Sequence, residues 1–463
     1  MKPLSLSRIA QWTSGRLIGE DAQITRVATD TRKLQAEDAG AAEAVLFMAL
    51  KGERFDGHDH LAQAAANGAR AALVSRHIDD AGLPQIVVAD TEQALAAIAR
   101  GLQRERAGKV IAITGSNGKT SVKALLLSIL QHAAQRDGRV VYANPGNLNN
   151  EIGLPLAVIG APEDAAVAVY EMGAGKPGDI RYLTGIVRPD AALVNNIAPA
   201  HLERMGSLLG VADTKAAIYD ALPADGIAAI NADDAFAPYF AERAHGRRLL
   251  RFGLEASADI SARDIHGDAQ GSRFVLTTPA GNAPVALALP GRHNVRNALA
   301  AAALAFGMDV PLQDIAAGLD AARSVGGRLV LHRLPSGAVL IDDSYNANPG
   351  SLAAAIEILA ASRDNAWLVL GDMRELGADT IALHAQAGHQ ARTAGIGQLY
   401  ALGELSAHAV TAFGEGGQHF ATHEALIEAL RPQLRNGVTV LVKGSRGSAM
   451  DRIVSALLEG SQP

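Results

Sequence analysis

Short apolar segments of strand length alternate with helical stretches along most of the chain, and this alternation divides into three regions. In the first region the apolar segments cover residues 45–50, 71–74 and 86–88. Apolar runs of this length, bounded by turn-rich or helical segments, are typical of buried strands. The turn-rich segment 51–59 follows the first of them. The pattern predicts a small α/β domain over residues 1–89.

The second region begins with a helical stretch at about 91–106 and contains a longer series of strands and helices. Its predicted strands cover residues 110–113, 140–143, 167–172, 191–196 and 227–230, with helices from 119 and around 215–222. Apolar strands with helices between them favour a mostly parallel sheet covered on both faces. Residues 245–290 are interrupted by polar residues, Gly and Pro, so we predict a small antiparallel insertion there, before an Ala-rich helix at 294–306. The predicted central domain covers residues 90–324.

The third region shows the same alternation from about residue 326 onward. Its predicted strands cover residues 339–341, 367–370, 399–402 and 438–442, with helices between them and a last helix after residue 448. This pattern favours a doubly wound, Rossmann-like C-terminal domain over residues 325–463. The predicted fold class is therefore α/β in three domains, of which the central one has a mostly parallel sheet.

Composition narrows the possible functions. The chain of 463 residues has no cysteine, which excludes disulfides, thiolate nucleophiles and cysteine-ligated metals. No uncharged apolar run reaches the ~20 residues of a membrane span, and the N-terminus lacks a signal peptide's apolar core, so we expect a cytoplasmic protein. The net charge is −6 without a long basic run. A nucleic-acid surface is therefore not expected, and anions would be bound by loop amides, helix N-termini and single cations.

One loop of the central region has the composition of a phosphate-binding loop. Residues 114–121 read TGSNGKTS and lie between an apolar strand and an apolar helix. Glycines let backbone N–H groups turn toward phosphate oxygens, and the helix N-terminus adds partial positive charge. Lys119 can reach the β- and γ-phosphates, and the Thr120 hydroxyl can ligate Mg²⁺. The predicted nucleotide-binding residues of this loop are Gly115, Ser116, Asn117, Gly118, Lys119, Thr120 and Ser121.

This loop departs from the commonest spacing of such motifs. Ile113 stands where that spacing has a glycine, so we interpret the loop as a shorter variant. The alternative is a glycine-rich turn that binds nothing. We disfavour it because Lys119 and Thr120 stand where phosphate and metal chemistry require them.

Three residues further along could handle metal and charge. Glu171 ends a predicted strand and is a candidate Mg²⁺ ligand, because strand ends border the nucleotide crevice of such folds. His201, which also follows a strand, could supply a second ligand. Each residue has a plainer interpretation: a solvated loop glutamate, a hydrogen-bonded turn histidine and, for Lys215, a surface lysine of a helix. Spacing alone leaves these alternatives open.

Together these segments resemble the Mur ligases, the ATP-dependent enzymes that build the peptide of bacterial cell-wall precursors. The likeness covers nearly the whole chain, and the motifs follow the family's order. They lie at residues 114–121, 147–155, 291–297 and 327–329. The resemblance implies that Thr120, Glu171, His201 and a carbamoylated Lys215 hold Mg²⁺. It implies a catalytic set of Lys119, His201, Lys215 and Arg328, and nucleotide contacts from Asn294, Asn297, Arg328, Asp343, Tyr345 and Asn348.

Four further stretches are similar to the family members that add D-alanyl-D-alanine to UDP-N-acetylmuramoyl-tripeptide. They lie at residues 49–58, 342–349, 370–377 and 442–446. The implied reaction phosphorylates the tripeptide carboxylate with ATP, and the amine of the dipeptide then attacks the acyl phosphate. Two alternatives remain, namely a ligase of the same fold with another acceptor and a nucleotide-hydrolysing switch or transport ATPase without an acceptor.

The resemblance also assigns the uridine diphosphate end of the substrate to the first domain. The residues expected there are Asp30, Thr31, Arg32, Lys51, Arg54, Phe55, Asp56 and His58. Polar turns without a ligand are the alternative at both segments. We expect a monomer. The sequence leaves open whether the third residue of the tripeptide is lysine or diaminopimelate.

Overall fold

The computed structural model describes residues 1–34, 43–52, 55–199, 201–268, 270–362 and 365–459. Within these ranges the strands and helices fall into three α/β units along the chain, and the predicted fold class is confirmed. No helix of the described ranges is both long and apolar enough to cross a membrane.

The first unit is built on a five-stranded sheet of order β2-β7-β6-β5-β4, with β1 and β3 paired separately. Its elements are β1 (Leu4–Ser5), α1 (Leu6–Thr13), β2 (Arg16–Ile18), β3 (Gln23–Ile24), β4 (Arg26–Ala28), β5 (Val45–Met48), α2 (Leu61–Ala66), β6 (Ala69–Val74), β7 (Gln85–Val87) and α3 (Thr91–Glu105). The predicted strands correspond to β5, β6 and β7. Strand β5 ends at Met48 because the chain turns there, where the Leu50 N–H donates to the Met48 carbonyl. Helix α3 contacts α1 and then leads into the second unit.

The second unit contains the predicted parallel sheet and further helices. Its elements are β8 (Lys109–Thr114), α4 (Lys119–Ala134), β9 (Val140–Ala143), α5 (Gly153–Gly160), β10 (Ala165–Glu171), α6 (Asp179–Val187), β11 (Ala191–Val194), α7 (Leu202–Met205), α8 (Leu208–Asp220), β12 (Ile227–Asn231), α9 (Ala237–Arg243), β13 (Arg248–Phe252), β14 (Ser261–Asp268), β15 (Gly271–Thr278), β16 (Gly281–Leu287), α10 (Arg292–Gly307) and α11 (Leu312–Ala321). The strand order is β13-β12-β11-β8-β10-β9, and every neighbouring pair is parallel.

Strand β8 lies inside this sheet and is buried on both faces. Val110 and Ala112 pack into one hydrophobic core, whereas Ile111 and Ile113 pack into the core on the opposite face. Successive side chains of a strand point to opposite faces, so a strand covered on both sides needs an unbroken apolar run. This explains why the sequence pattern identified β8.

One prediction about this unit is wrong. The antiparallel insertion starts later than residue 245, because β13 is the edge strand of the parallel sheet and only β14, β15 and β16 form the antiparallel sheet. In β13, Leu250 and Phe252 are buried while Arg248 and Arg251 are exposed. An edge strand exposes part of its side chains to solvent, and this interruption resembled an insertion.

The third unit has a six-stranded sheet of order β17-β18-β22-β19-β20-β21, in which only β17 runs antiparallel to its neighbour. Its elements are β17 (Val330–Arg333), β18 (Val339–Asp343), α12 (Pro349–Ala360), β19 (Asn365–Gly371), α13 (Thr380–Thr393), β20 (Gln398–Leu402), α14 (Ala407–Phe413), β21 (Gly417–Phe420), α15 (His423–Leu430), β22 (Val438–Lys443) and α16 (Asp451–Glu459). Separate hydrophobic cores cover the two faces, with Leu352 of α12 in one and Ile453 of α16 in the other. This is the predicted doubly wound arrangement.

Candidate functional site

The main cleft of the described chain lies between the second and third units and has a volume of about 650 Å³. Its walls are the carboxyl ends of strands from both parallel sheets, where ligands of such folds bind. The predicted site residues that line it are Ser116, Asn117, Gly118, Lys119, Thr120, Ser121, Glu171, His201, Asn294, Asn297, Arg328, Asp343, Tyr345 and Asn348. Gly115 is buried within the loop, and Lys215 is buried in α8.

The loop between β8 and α4 is closely packed, and its conformation depends on glycine. Gly118 has a φ of 78°, and a Cβ atom at this position would lie 2.5 Å from both Asn195 Nδ2 and Asn297 Oδ1. Neighbouring residues of the loop are bound by the segment after β11: the Ser116 N–H donates to the Asn196 carbonyl (2.9 Å), and the Asn117 N–H donates to Asn196 Oδ1 (2.9 Å). These hydrogen bonds fix the conformation of the loop against the segment after β11.

Lys119 is the first residue of α4 and stands at the mouth of this loop. Its Nζ donates to the Gly115 carbonyl (2.8 Å), so the ammonium group bends back over the loop. Burial lowers the pKa of Lys119, the charge of Glu171 opposes this shift, and Arg328 adds to it. Lys119 and Arg328 therefore place two basic side chains next to the predicted phosphate-binding loop.

Glu171 at the end of β10 is buried and held by its neighbours. Its Oε1 accepts hydrogen bonds from Thr120 Oγ1 (3.2 Å) and Asn149 Nδ2 (3.0 Å). Its backbone N–H donates to Asn144 Oδ1 (2.8 Å). The second oxygen, Oε2, is buried and makes no hydrogen bond with any described residue. A buried carboxylate oxygen beside a threonine hydroxyl fits a hard cation such as Mg²⁺.

This fit involves few protein ligands. Within the described residues there is no cluster of three or more His, Asp or Glu side chains that could hold a metal by themselves. Mg²⁺ in nucleotide enzymes is commonly bound by one or two protein groups together with substrate phosphates. The donor set at Thr120 and Glu171 matches that pattern.

His201 caps the short helix α7 in a left-handed backbone conformation, with a φ of 55°. Its Nδ1 pairs with the carboxylate of Glu375, which belongs to the third unit. Burial lowers the pKa of His201, and the charge of Glu375 opposes this effect. Lys215 and Lys119 are close enough to lower it further. The pair of His201 and Glu375 therefore lies at the junction of the two units.

Lys215 in α8 is almost fully buried, with 2% of its surface exposed. The Lys215 side chain makes no hydrogen bond or ion pair with any described residue. Burial, together with the nearby charge of Lys119, lowers the pKa of Lys215 to about 7. At neutral pH a large share of this side chain is therefore the uncharged amine, whereas an exposed lysine is almost entirely an ammonium ion.

Two residues of the third unit reach the phosphate loop directly. Arg328 Nη2 donates to Thr120 Oγ1 (3.1 Å), and the guanidinium group lies over the Tyr345 ring, 4.4 Å from its centroid. Asn348 Nδ2 donates to Asn117 Oδ1 (2.6 Å). These contacts bring together residues that are more than 200 positions apart in the chain.

The remaining predicted nucleotide contacts form two buried polar groups. Asn297 Oδ1 accepts from Asn195 Nδ2 (3.0 Å), and Asn294 Nδ2 donates to the Pro290 carbonyl (2.8 Å). On the other wall, Asp343 pairs with Lys443. Burial raises the pKa of Asp343, and Lys443 opposes that shift.

The described residues among those predicted in the first unit lie apart from this cleft and line none of it. They follow β4 and β5, two parallel neighbours whose carboxyl ends share one edge of the sheet. Asp30 accepts from the N–H of Arg32 and pairs with its guanidinium group (2.8 Å). Thr31 Oγ1 donates to Gln63 Oε1 (3.3 Å), which connects this turn to α2. This edge of the sheet therefore brings the two predicted segments near each other.

The second of these segments forms a tight polar turn. Lys51 is bridged to Asp56 in a β-bridge, and Phe55 is 59% exposed. Hydrogen bonds from the backbone N–H and the ring of His58 hold the pKa of Asp56 well below its usual range. His58 is buried, and the Ser75 N–H donates to its Nε2 (2.8 Å). Arg54 lies outside the described residues.

Several residues that line the cleft or contact its residues were not identified from the sequence. Asn149 and Glu375 fall inside stretches that carried the family resemblance, which was the only available signal for them. His293 lines the cleft, and its burial lowers its pKa to about 4. Lys123 lies 3.3 Å from Glu171 Oε2, measured from its Nζ, and its position in an apolar helix gave no indication of this contact.

Three family descriptions match the chain in succession. "Mur ligase family, catalytic domain" matches residues 24–103, "Mur ligase middle domain" matches residues 113–305, and "Mur ligase, glutamate ligase domain" matches residues 327–446.

Relatives with curated names are similar over their whole length. The UDP-N-acetylmuramoyl-tripeptide–D-alanyl-D-alanine ligase of Escherichia coli (strain K12) is 43% identical over 462 residues, which is 99% of both chains. The protein of the same name from Bacillus subtilis (strain 168) is 33% identical over 473 residues, 98% of both chains.

Solved structures give the same result. MurF from Acinetobacter baumannii is 34% identical with a TM-score of 0.90 and covers 99% of both chains. The MurF ligase from Thermotoga maritima in complex with ADP is 26% identical with a TM-score of 0.81, and the match covers 94% of this chain and 97% of that chain.

Proposed function

The chain belongs to the Mur ligase family, and from this premise we propose that it joins D-alanyl-D-alanine to UDP-N-acetylmuramoyl-tripeptide with hydrolysis of ATP to ADP and phosphate. The observation that carries the proposal is the phosphate loop of the second unit facing Arg328 of the third across one cleft. A carboxylate and an amine do not condense in water without activation. A site that holds a nucleotide between two units can supply it.

The chemistry begins with an attack of the tripeptide carboxylate on the γ-phosphorus of ATP. An oxygen–phosphorus bond forms, ADP leaves, and the product is an acyl phosphate. The amine of the dipeptide then attacks the acyl carbon, and phosphate leaves with the formation of the amide. Lys119 and Arg328 would neutralise the charge of the two approaching anions, which is the main electrostatic obstacle. Contacts between the units would exclude water from the acyl phosphate.

Mg²⁺ would be held with the nucleotide by Thr120, Glu171, His201 and a carbamoylated Lys215. Its chemistry at this place is to neutralise phosphate charge. Glu171 Oε2, which makes no hydrogen bond with any described residue, and the Thr120 hydroxyl beside Glu171 support this assignment. Asn294, Asn297, Asp343, Tyr345 and Asn348 would contact the adenine and ribose, since all five line the same cleft.

Carbamoylation of Lys215 is supported by the burial of its amine and by its pKa of about 7, which leaves a substantial share of the amine uncharged at neutral pH. The nitrogen attacks carbon dioxide, an N–C bond forms and one proton is released, which leaves an anionic group with two oxygens. We expect a carbamate signal in the ¹³C NMR spectrum of the ¹³CO₂-equilibrated enzyme that disappears in Lys215→Ala. Activity of Lys215→Ala is expected to fall strongly and to recover partly with added acetate. Full activity of Lys215→Ala, or no carbamate signal in the wild type, would contradict the proposal.

The first unit would bind the uridine diphosphate end through Asp30, Thr31, Arg32, Lys51, Arg54, Phe55, Asp56 and His58. We propose domain limits of 1–89, 90–324 and 325–463 for the nucleotide-sugar-binding, ATP-binding and C-terminal units. We also propose a monomer, acting in the cytoplasm where ATP is available. Sedimentation analysis tests the monomer.

The experiment that tests the function is phosphate release by the purified protein with MgATP and each combination of acceptor and nucleotide substrate. We expect release only with both D-alanyl-D-alanine and the tripeptide, and a loss of more than ~100-fold in Lys119→Ala. Release with another amino acid would indicate a different ligase of the same fold. Release without any acceptor would indicate a nucleotide hydrolase.

A further inference from the structure

A buried lysine approaches the carboxylate of Glu171 from behind the cleft. Lys123 lies one helical turn after Lys119 in α4, is only 7% exposed and is absent from the described residues that line the cleft. Its Nζ donates to the carbonyls of Asn144 (2.9 Å) and Gly146 (3.1 Å). The same atom lies 3.3 Å from Glu171 Oε2.

These contacts engage every side of the Lys123 ammonium group. An ammonium group has three N–H donors, and two of them are taken by the carbonyls of the loop after β9. The third side faces Glu171 as an ion pair, but the alignment does not make a hydrogen bond, so Oε2 stays without one. A buried carboxylate without a counter-charge is strongly unfavourable. Lys123 supplies that counter-charge and leaves Oε2 available.

A second cation also acts on Glu171. Lys119 interacts electrostatically with Glu171, and Lys119 is itself close enough to Arg328 and Lys215 to feel their charges. Because Lys123 and Lys119 both act on the carboxylate of Glu171, a free divalent ion has to compete with them for it. An anionic nucleotide reverses this balance, because its phosphates bring several negative charges.

We propose that Lys123 is a positioning residue that takes the place of the metal as the counter-ion of Glu171 in the empty enzyme. Because the two cations share one carboxylate, the divalent ion binds appreciably only together with the nucleotide. Lys123 also fixes the loop that carries Asn149, which donates to the other oxygen of Glu171. This inference rests on the proposed role of Glu171 as a metal ligand.

The test measures metal binding without nucleotide, by Mn²⁺ titration followed by electron paramagnetic resonance and by thermal melting with and without Mg²⁺. We compare the wild type with Lys123→Met, which removes the charge and keeps most of the side-chain volume. Lys109→Met is the control. Lys109 is an exposed lysine of the same unit, and its ammonium group pairs with Asp190 instead of Glu171.

We expect Lys123→Met to melt at a lower temperature than the wild type and to regain much of the loss when Mg²⁺ or Mn²⁺ is added. Its affinity for Mn²⁺ without nucleotide is expected to rise by about tenfold or more, since a charge within ~4–6 Å shifts ion binding on this scale. Lys109→Met is expected to behave like the wild type. A lysine that only supports the two carbonyls would lower the melting temperature without any recovery by metal, and that result would overturn the inference, as would an unchanged Mn²⁺ affinity.

The double variant Lys123→Met/Glu171→Gln keeps the inference testable if the single variant does not fold. Without an unpaired charge, it is expected to melt closer to the wild type than Lys123→Met and to show no stabilisation by metal. A double variant less stable than Lys123→Met would contradict the charge compensation.

Glu171→Gln alone separates the two proposals: unchanged Mn²⁺ binding in the presence of a non-hydrolysable ATP analogue would refute the metal role of Glu171 itself. If Glu171→Gln weakens Mn²⁺ binding with the ATP analogue, but Lys123→Met leaves the Mn²⁺ affinity without nucleotide unchanged, only the role of Lys123 is refuted.

Discussion

At the scale of single residues, Gly118 shows how strictly the phosphate loop is specified. Its φ of 78° costs an alanine ~1–2 kcal/mol, and the new Cβ would also lie 2.5 Å from two amide groups. Gly118→Ala is therefore expected to lower the free energy of unfolding and to weaken nucleotide binding, measured by denaturant titration and calorimetry with ADP. Gly138 is a matched control, because its φ of 70° is similar but nothing lies within 4 Å of its Cβ position. Equal losses of stability in Gly118→Ala and Gly138→Ala would show that the contact with Asn195 and Asn297 is unimportant.

The lowered pKa of Lys215 makes stability depend on pH in a defined window. In the folded chain the pKa is about 7, whereas an unfolded lysine has its ordinary value of 10.5. Between pH 7 and 10.5 Lys215 is protonated in the unfolded chain but largely unprotonated in the folded chain, so the free energy of unfolding rises with pH in this interval. Below about pH 7 the folded chain must bury the charged ammonium group, and the loss of stability is then complete. In CO₂-free buffer, the stability of the wild type relative to Lys215→Met is therefore expected to increase from pH 7 to 9. A difference that does not change with pH would show that Lys215 keeps its ordinary pKa.

At the scale of secondary structure, α12 connects helix capping to the phosphate loop. Asn348 caps this helix in a capping box with Ser351, while its Nδ2 donates to Asn117. Asn348→Ser keeps a capping oxygen and loses the donor, so we expect nearly wild-type stability with a raised KM for ATP. Asn348→Ala loses both, with an added cost of ~1 kcal/mol in unfolding free energy. Equal stability of the two variants would contradict the capping role, and an unchanged KM in both would contradict the contact with the loop.

Secondary structure was predictable from the sequence where burial is regular along the chain. Strand β8 has an unbroken apolar run because both of its faces are covered. Strands β1 to β4 have two or three residues each, too few to show any period. At strand β13 the sequence pattern wrongly predicts an insertion, because the edge of the sheet exposes Arg248 and Arg251.

The candidate site was predictable where a motif is local. The phosphate loop could be identified because its residues are consecutive. Lys123 could not, because its role depends on a loop more than 20 residues away that folds back on α4. Its neighbours in the sequence are those of an ordinary buried helix.

At the scale of the whole molecule, the second and third units are joined at the cleft between them by contacts from side chains distant in sequence. Arg328 binds Thr120, Asn348 binds Asn117, and Glu375 pairs with His201. The described residues of the predicted uridine site lie on another sheet, and none of them lines that cleft. Binding of the two nucleotides is therefore expected to be separable by mutation, although both are needed in one reaction.

Arg32→Ala and Lys51→Ala test this separation. Both residues follow strands of the first sheet and lie outside the ATP cleft, so each variant is expected to raise the KM for the nucleotide-sugar tripeptide by roughly tenfold. A tenfold change in KM corresponds to ~1.4 kcal/mol, close to the lower end of the ~1.5–3 kcal/mol that a hydrogen bond to a charged group contributes. The KM for ATP and the melting temperature are expected to stay close to wild type. Arg70→Ala is the control, because Arg70 is an exposed arginine on β6 of the same sheet. If ATP and the nucleotide-sugar substrate were affected equally, or if Arg70→Ala had the same effect, the first unit would not be the independent binding unit that we propose.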